Sequence, residues 1–182
     1  MRSRCFLLLV PFLLTACTAS ALKGTPLPAG SFSLDSSDGG GTGTAYVRGY
    51  AVVNRVQEPF CSHDPEETDD CQAFDYVFLR IINTGSPVMD RFITQNRGNA
   101  YVGKKSVGLG CMGEGGTITY VNDSDAFGRK TYTIAPELAR QILRSTVRTP
   151  VTLALTKETL SGGTEGPPCY AHFTSVQAVA AQ

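Results

Sequence analysis

Residues 108–116 read GLGCMGEGG. The first six, Gly108-Leu109-Gly110-Cys111-Met112-Gly113, have the G-x-G-x-x-G spacing of a dinucleotide-binding loop, and their reading decides between an α/β and a β fold. Such a loop leaves a strand and opens a helix, whose N-terminus then meets a pyrophosphate. Here a Gly-interrupted strand pattern, NAYVGKKSVGLGC (99–111), does come first. The next residues, EGGTITYV, turn the chain and then become β-branched. No βαβ unit can be written around the motif, so its glycines read as strand and turn glycines flanking a cysteine.

Outward from this point the pattern stays β. TAYVRGYAVVNRV (44–56) alternates, with Ala45, Val47, Ala51 and Val53 on one face and Tyr46, Arg48, Tyr50 and Val52 on the other. Gly49 marks a bend or bulge in it. FDYVFLRII (74–82) is apolar or aromatic on both faces, as a central strand must be. NTGSP (83–87) reads as a turn. TITYV (117–121) is a short strand, NDSDAFGRK (122–130) a turn, and TYTI (131–134) a further strand. PELARQILRST (136–146) breaks the pattern: Leu138, Ile142 and Leu143 share one face at helical spacing, Pro136 suits a first helical turn, and Glu137 suits its dipole. PVTLALTKETL (150–160) and CYAHFTSVQAV (169–179) return to strands. Several strands, one short helix and two strands predict a mainly β domain. The expected architecture is an OB-like β-barrel whose third and fifth strands, TITYV and CYAHFTSV, are parallel neighbours. The alternative is a β-sandwich decorated by the helix.

Composition agrees. Of 182 residues, 42% are hydrophobic and only 18% charged, with 19 Gly and 10 Pro. That balance favours a turn-rich β domain of a single core. The formal net charge is zero, and no basic cluster exceeds Lys104-Lys105, so the electrostatic footprint of a nucleic-acid binder is missing.

The N-terminus, MRSRCFLLLVPFLLTACTAS, places Arg2 and Arg4 before an apolar run from Cys5 to Leu14. Spanning a bilayer takes about 20 apolar residues, so the run is a signal peptide's core and not a transmembrane helix. It ends in Leu14-Thr15-Ala16-Cys17, which resembles the lipobox of bacterial lipoprotein precursors. The resemblance covers residues 1–17. It implies cleavage after Ala16, with Cys17 carrying a thioether-linked diacylglycerol and an N-acyl chain; two or three chains anchor stably where one does not. Thr18 stands where Asp would imply inner-membrane retention, so in a Gram-negative cell the outer membrane is expected. The competing reading is an ordinary secretory signal cleaved near Ala19 or Ala21. Loss of Arg2 and Arg4 leaves the processed chain with two more acidic than basic residues.

The expected organisation is a signal peptide over 1–16, a lipid-anchored flexible tether over 17–43 (rich in Ser, Gly, Pro and Thr), and one disulfide-bonded domain over 44–182. With Cys5 in the leader and Cys17 lipidated, Cys61, Cys71, Cys111 and Cys169 remain. An even number in an exported chain reads as two disulfides with three connectivities. Cys61 and Cys71 bracket one polar loop, so local closure is simplest, and Cys111–Cys169 then pairs by elimination. No C-x-x-C pair or clustered His supports zinc or redox chemistry.

That polar loop, SHDPEETDD, concentrates His63, Asp64, Glu66, Glu67, Asp69 and Asp70. It fits no calcium-loop spacing and has no glycine for the sharp turn. It reads as a solvated acidic loop and a candidate partner-facing surface. Asp123 and Asp125 begin like a calcium loop, but Phe127 takes the third ligand position. His63 and His172 are the only histidines. Ser106 has Lys104 where a nucleophile elbow needs glycine, so no catalytic triad is signalled. The aromatics Tyr46, Tyr50, Phe74, Tyr76 and Phe78 read as core, with base or sugar stacking as the rival use. No catalytic residue, metal or cofactor is expected. The expectation is a non-catalytic, lipid-anchored envelope lipoprotein that binds another envelope protein or a ligand. The alternatives are a small cell-envelope hydrolase and a calcium-dependent structural or adhesive lipoprotein.

Overall fold

The computed structural model describes residues 25–34, 41–56, 73–95, 105–125, 128–158, 169 and 173–179. In chain order they form β1 (Ser33–Leu34), β2 (Gly41–Val56), β3 (Phe74–Thr84), α1 (Pro87–Gln95), β4 (Ser106–Met112), β5 (Ile118–Asp125), β6 (Gly128–Thr133), α2 (Pro136–Arg144), β7 (Val151–Lys157) and β8 (Ser175–Ala178). Seven strands make one sheet in the order β6-β5-β4-β3-β2-β7-β8, and β1 adds to β2. Every pairing is antiparallel.

Strand alternation sorts the side chains onto two faces. On one face Ala45 and Val47 of β2, Val77, Leu79 and Ile81 of β3, Val107 and Leu109 of β4, and Leu153 and Leu155 of β7 join a single buried cluster. Met89, Phe92 and Ile93 of α1 and Leu138, Ala139 and Ile142 of α2 belong to the same cluster. Both helices therefore lie on the concave face of the curled sheet. The opposite face of β3 is buried too: Tyr76 and Phe78 form a second cluster with Cys111. That two-sided burial is why 74–82 carries apolar or aromatic residues on both faces, and β3 occupies the middle of the sheet as its sequence requires.

The expected OB-like barrel is corrected to an open, curled half-barrel with two helices. Among the described residues the sheet ends at β6 and β8, which do not pair. ITYV (118–121) opens β5, and the final strand pairs antiparallel with β7 instead of lying parallel to β5. A second facing sheet is absent among the described residues, so the sandwich alternative fails as well. The physical reason is filling. A small closed barrel fills its interior with its own strands' side chains; here two helices and the rings of Phe32 and Phe173 occupy that volume.

The unexpected helix is α1. Ser86, within a stretch whose composition signals a turn, is its N-cap: Val88 N–H donates to Ser86 Oγ at 3.2 Å, and Asp90 N–H makes the first helical bond to Ser86 O at 3.1 Å. Pro87 stands at the first helical position, where its missing N–H costs nothing. Met89, Phe92 and Ile93, spaced i, i+3, i+4, face the core. The expected helix, α2, runs Pro136–Arg144 with Pro136 in its first turn. At its C-terminus the buried Ser145 donates to Ile142 O and accepts Ala51 N–H at 2.9 Å, tying the helix end to β2.

Residues 25–34, inside the stretch expected to act as tether, lie against the domain. Ser31 N–H donates to Thr44 O, and Gly85 N–H to Tyr46 O alongside. Arg48 donates to Thr25 O at 3.1 Å. Phe32 is 6% exposed and meets Phe92 edge-on at 5.1 Å between ring centroids. The packed chain thus begins upstream of Thr44. Truncating a buried Phe costs about 3 to 5 kcal/mol. Phe32→Ala is expected to lower the unfolding free energy by that amount in chemical denaturation; a loss under about 1 kcal/mol would show that this arm is a tether after all.

Candidate functional site

The glycines of 108–113 serve the sheet. Gly108 lies in β4 opposite Phe78, and a Cβ there would stand 2.7 Å from the Tyr76 hydroxyl oxygen. The Tyr76 ring takes the space that a side chain would fill. Gly110 has φ +132°, and a Cβ there would sit 2.2 Å from Thr119 O, so only glycine fits. Between these two the register shifts: Val77 opposes Gly110 while Phe78 opposes Gly108, leaving Leu109 as an extra residue. This bulge reverses the alternation. Leu109 faces the concave core, and Cys111, two residues on, faces the convex cluster. The chain then passes through one 3-10 turn at Glu114–Gly116 into β5, so a strand stands where a nucleotide fold needs a helix.

β4 and β5 pair only at Cys111–Thr119 and Met112–Ile118. Beyond that they part, and Cys169 bridges them. Its sulfur is bonded to Cys111, with 5.0 Å between the Cα atoms, and its carbonyl accepts Val121 N–H of β5 at 3.1 Å. Further along the same segment Tyr120 Oη donates to Thr174 O at 3.2 Å, and Thr174 N–H donates to Thr156 O of β7 at 2.7 Å. Cys169 thus contacts β4 and β5, and Thr174 contacts β5 and β7.

Around the bridge the convex face carries an aromatic row. Tyr76 and Phe78 are 4.6 Å apart between ring centroids and Phe74 and Tyr76 6.2 Å, with Val56 and Cys169 packed beside them. Tyr76 and Phe78 are core residues, while Tyr46, Tyr50 and Phe74 are half-buried. Arg80 lies 5.7 Å from the Tyr50 ring and donates to its hydroxyl. Ser106 stands at the start of β4.

Among the described residues two titratable groups are perturbed. Burial, and secondarily Tyr132 stacked on it at 5.5 Å, raise the pKa of Tyr120 above the ordinary 10.0. Burial lowers that of Lys157, whose ammonium lies 5.4 Å from the centroid of Phe92.

Among the sequence-derived candidates, the structure joins Cys111 and Cys169. Cys17, Cys61, Cys71, His172 and the acidic-loop residues His63, Asp64, Glu66, Glu67, Asp69 and Asp70 lie outside the described residues. In sequence that acidic stretch lies between Val56 and Phe74, which are register partners in β2 and β3. Asp123 and Asp125 belong to β5 and not to a turn. Among the described residues no three His, Cys, Asp or Glu side chains converge to hold a metal ion, and no helix is long and apolar enough to cross a membrane. The described residues present an antiparallel sheet of unequal strands, stapled by the Cys111–Cys169 bridge. Comparison with protein-family models, curated proteins and solved structures finds no match to the chain.

The bridge and its neighbour Tyr120 can each be tested. Cys111 and Cys169 are 58 residues apart, and the chain-entropy model assigns about 4 kcal/mol to closing such a loop. Replacing both by Ala is expected to lower stability by up to about that amount, and reductant should then have no further effect through this pair. For Tyr120, a folded-state pKa raised above the unfolded one means that the protonated phenol favours the fold. That stability is complete below pH 10 and is lost as pH climbs through the folded value. Lys157, with its pKa lowered, acts oppositely, adding stability as pH rises toward 10.5. Tyr120→Phe isolates the first effect. It should cost about 1 kcal/mol at pH 7 for the lost hydrogen bond, and that deficit should shrink above pH 10. A difference between the two proteins that stays flat from pH 8 to 11 would contradict the assignment.

Proposed function

We propose that the chain is exported, lipidated at Cys17 and held at the cell envelope, where its domain acts as a non-catalytic binding or accessory module for another envelope component. The observation that carries the reading is the agreement between leader and fold chemistry. The first 17 residues have the charge, apolar length and Leu-Thr-Ala-Cys ending of a lipoprotein precursor, and a disulfide joins two distant segments at a structurally demanding position. Disulfides persist in oxidising compartments and are rare in the cytosol. Both features ask for the same address. A binding role, as opposed to catalysis, is supported by a β scaffold whose long strands end unevenly and by the acidic sequence that connects β2 to β3.

Mass spectrometry of the protein purified from its native envelope tests the address. A mature N-terminus at Cys17 carrying diacylglycerol and an acyl chain is expected, and Cys17→Ala should abolish membrane retention. An intact Met1, or an N-terminus beyond Cys17 without fatty mass, would overturn the reading. Crosslinking in intact cells from residues within 57–73 and 159–168 tests the binding role, with a discrete protein adduct expected.

A further inference from the structure

β2 is longer than the neighbours that cover it. Its residues Gly43–Gly49 pair with β7 on one side, and Val47–Val56 pair with β3 on the other. β7 starts at Val151, opposite Gly49, so among the described residues 51–56 have a partner strand on the β3 side only. The orientation of the free side is set by one hydrogen bond: Ala51 N–H points away from β3, to Ser145 Oγ at 2.9 Å. Strand periodicity of two then directs the N–H and C=O groups of Val53 and Arg55 to the same uncovered side.

Three further features belong to this edge and to the chain around its Ser145 cap. Val53 and Val147 are the two large hydrophobic residues that stand well exposed among the described residues, at 40% and 49%. Val53 lies on the open edge, and Val147 lies two residues beyond Ser145, the residue that caps it. Residues 146–149 form a tight turn closed by reciprocal Thr146–Thr149 backbone hydrogen bonds, so the chain beyond the cap is fixed in shape. Two cations flank the cap: Arg144 and Arg148 are exposed on either side of Ser145, while Arg55 on the edge itself is paired to Asp75 at 3.8 Å.

Open strand edges recruit extended segments, with backbone hydrogen bonds supplying affinity and alternate side chains supplying specificity. We propose that the edge at Val53 and Arg55 is a docking site for an extended, acidic segment of a partner protein, which adds to β2 as a strand beyond the start of β7, sets an apolar side chain against Val53 and Val147, and places carboxylates near Arg144 and Arg148. This deepens the binding role proposed above and rests on it.

Residue-resolved amide exchange on the full processed chain tests the site, with a capped octapeptide alternating Glu and Val as probe and its Lys and Val counterpart as control. In the free protein the Val53 and Arg55 amides are expected to exchange fast, and Val52 and Asn54 slowly because they bond to β3. The Glu peptide should slow Val53 and Arg55 at least tenfold, and the Lys peptide should not. Arg144→Glu with Arg148→Glu should weaken the Glu peptide about tenfold. Val53→Pro should abolish its binding by removing an outward N–H, and the double Arg variant carries the test should Val53→Pro not fold. Slow Val53 and Arg55 amides in the free, dilute protein would mean that the edge is covered by the chain itself, and protection that grows with protein concentration would mean a second copy. Either result, equal protection by the Lys peptide, or none at millimolar Glu peptide would overturn the proposal. A crosslinked partner captured at other positions would leave the broader binding role standing while this edge fails.

Discussion

The half-barrel depends on the bulge at Leu109–Gly110. A regular strand would send Leu109 and Cys111 to the same face, and Cys111 would then point among the helices. The extra residue reverses the alternation, so Leu109 packs in the concave core while Cys111 reaches the convex side. Only there can it meet Cys169, whose backbone at the same time fills the gap where β4 and β5 separate. Gly110 makes the bulge feasible, because its φ of +132° and the 2.2 Å approach of Thr119 O leave no room for a side chain.

Magnitudes show why this staple matters more than the charges. The ion pairs Lys105–Asp90 and Arg55–Asp75 join side chains that are between 36% and 69% exposed, and such pairs contribute about 0 to 1 kcal/mol each. A bridge across 58 residues contributes about 4 kcal/mol in the chain-entropy account. It also acts where backbone pairing is thinnest, since β4 and β5 share only two register pairs. An open sheet has two unpaired ends to hold in place. Cys169 is tied to β4 and β5, and Thr174 to β5 and β7, so covalent and hydrogen bonds do part of what closure would do in a barrel.

Much of the element content is legible in the sequence, and the reasons are local. α2 declares itself through Pro136 and the spacing of Leu138 and Ile142. β3 declares its central place by being apolar on both faces, and Gly49 marks a real register shift in the β2–β3 pairing. α1 is equally well signposted, with Ser86 as cap, Pro87 after it, and Met89, Phe92 and Ile93 at helical spacing. The Thr-Gly-Ser-Pro cluster nonetheless has the composition of a turn and hides the helix that it starts. Phe32 is hidden in the same way by the Gly, Ser and Pro around it, although one buried ring is enough to fasten a polar arm to a core. The topology is not legible. Whether a sheet closes depends on bulges and on what fills its concave side, and neither can be read from alternation. Of the candidate site, the Cys111–Cys169 pair emerges from counting cysteines, whereas the free edge does not, because an edge is a property of which strand stops first.

Strand length is the property that joins the fold to the proposed role. β2 has 16 residues, β3 has 11 and β7 has 7. The shortness of β7 at its start has a definite cause: α2 ends at Arg144, Ser145 takes the Ala51 N–H that a longer β7 would have used, and the Thr146–Thr149 turn delivers the chain to Val151 opposite Gly49. The helix that fills the concave face is therefore what prevents β7 from covering the rest of β2. Among the described residues, filling the half-barrel with helices and leaving part of its longest strand without a second partner strand are one structural event. A fold that completed its sheet would lose the site along with the opening.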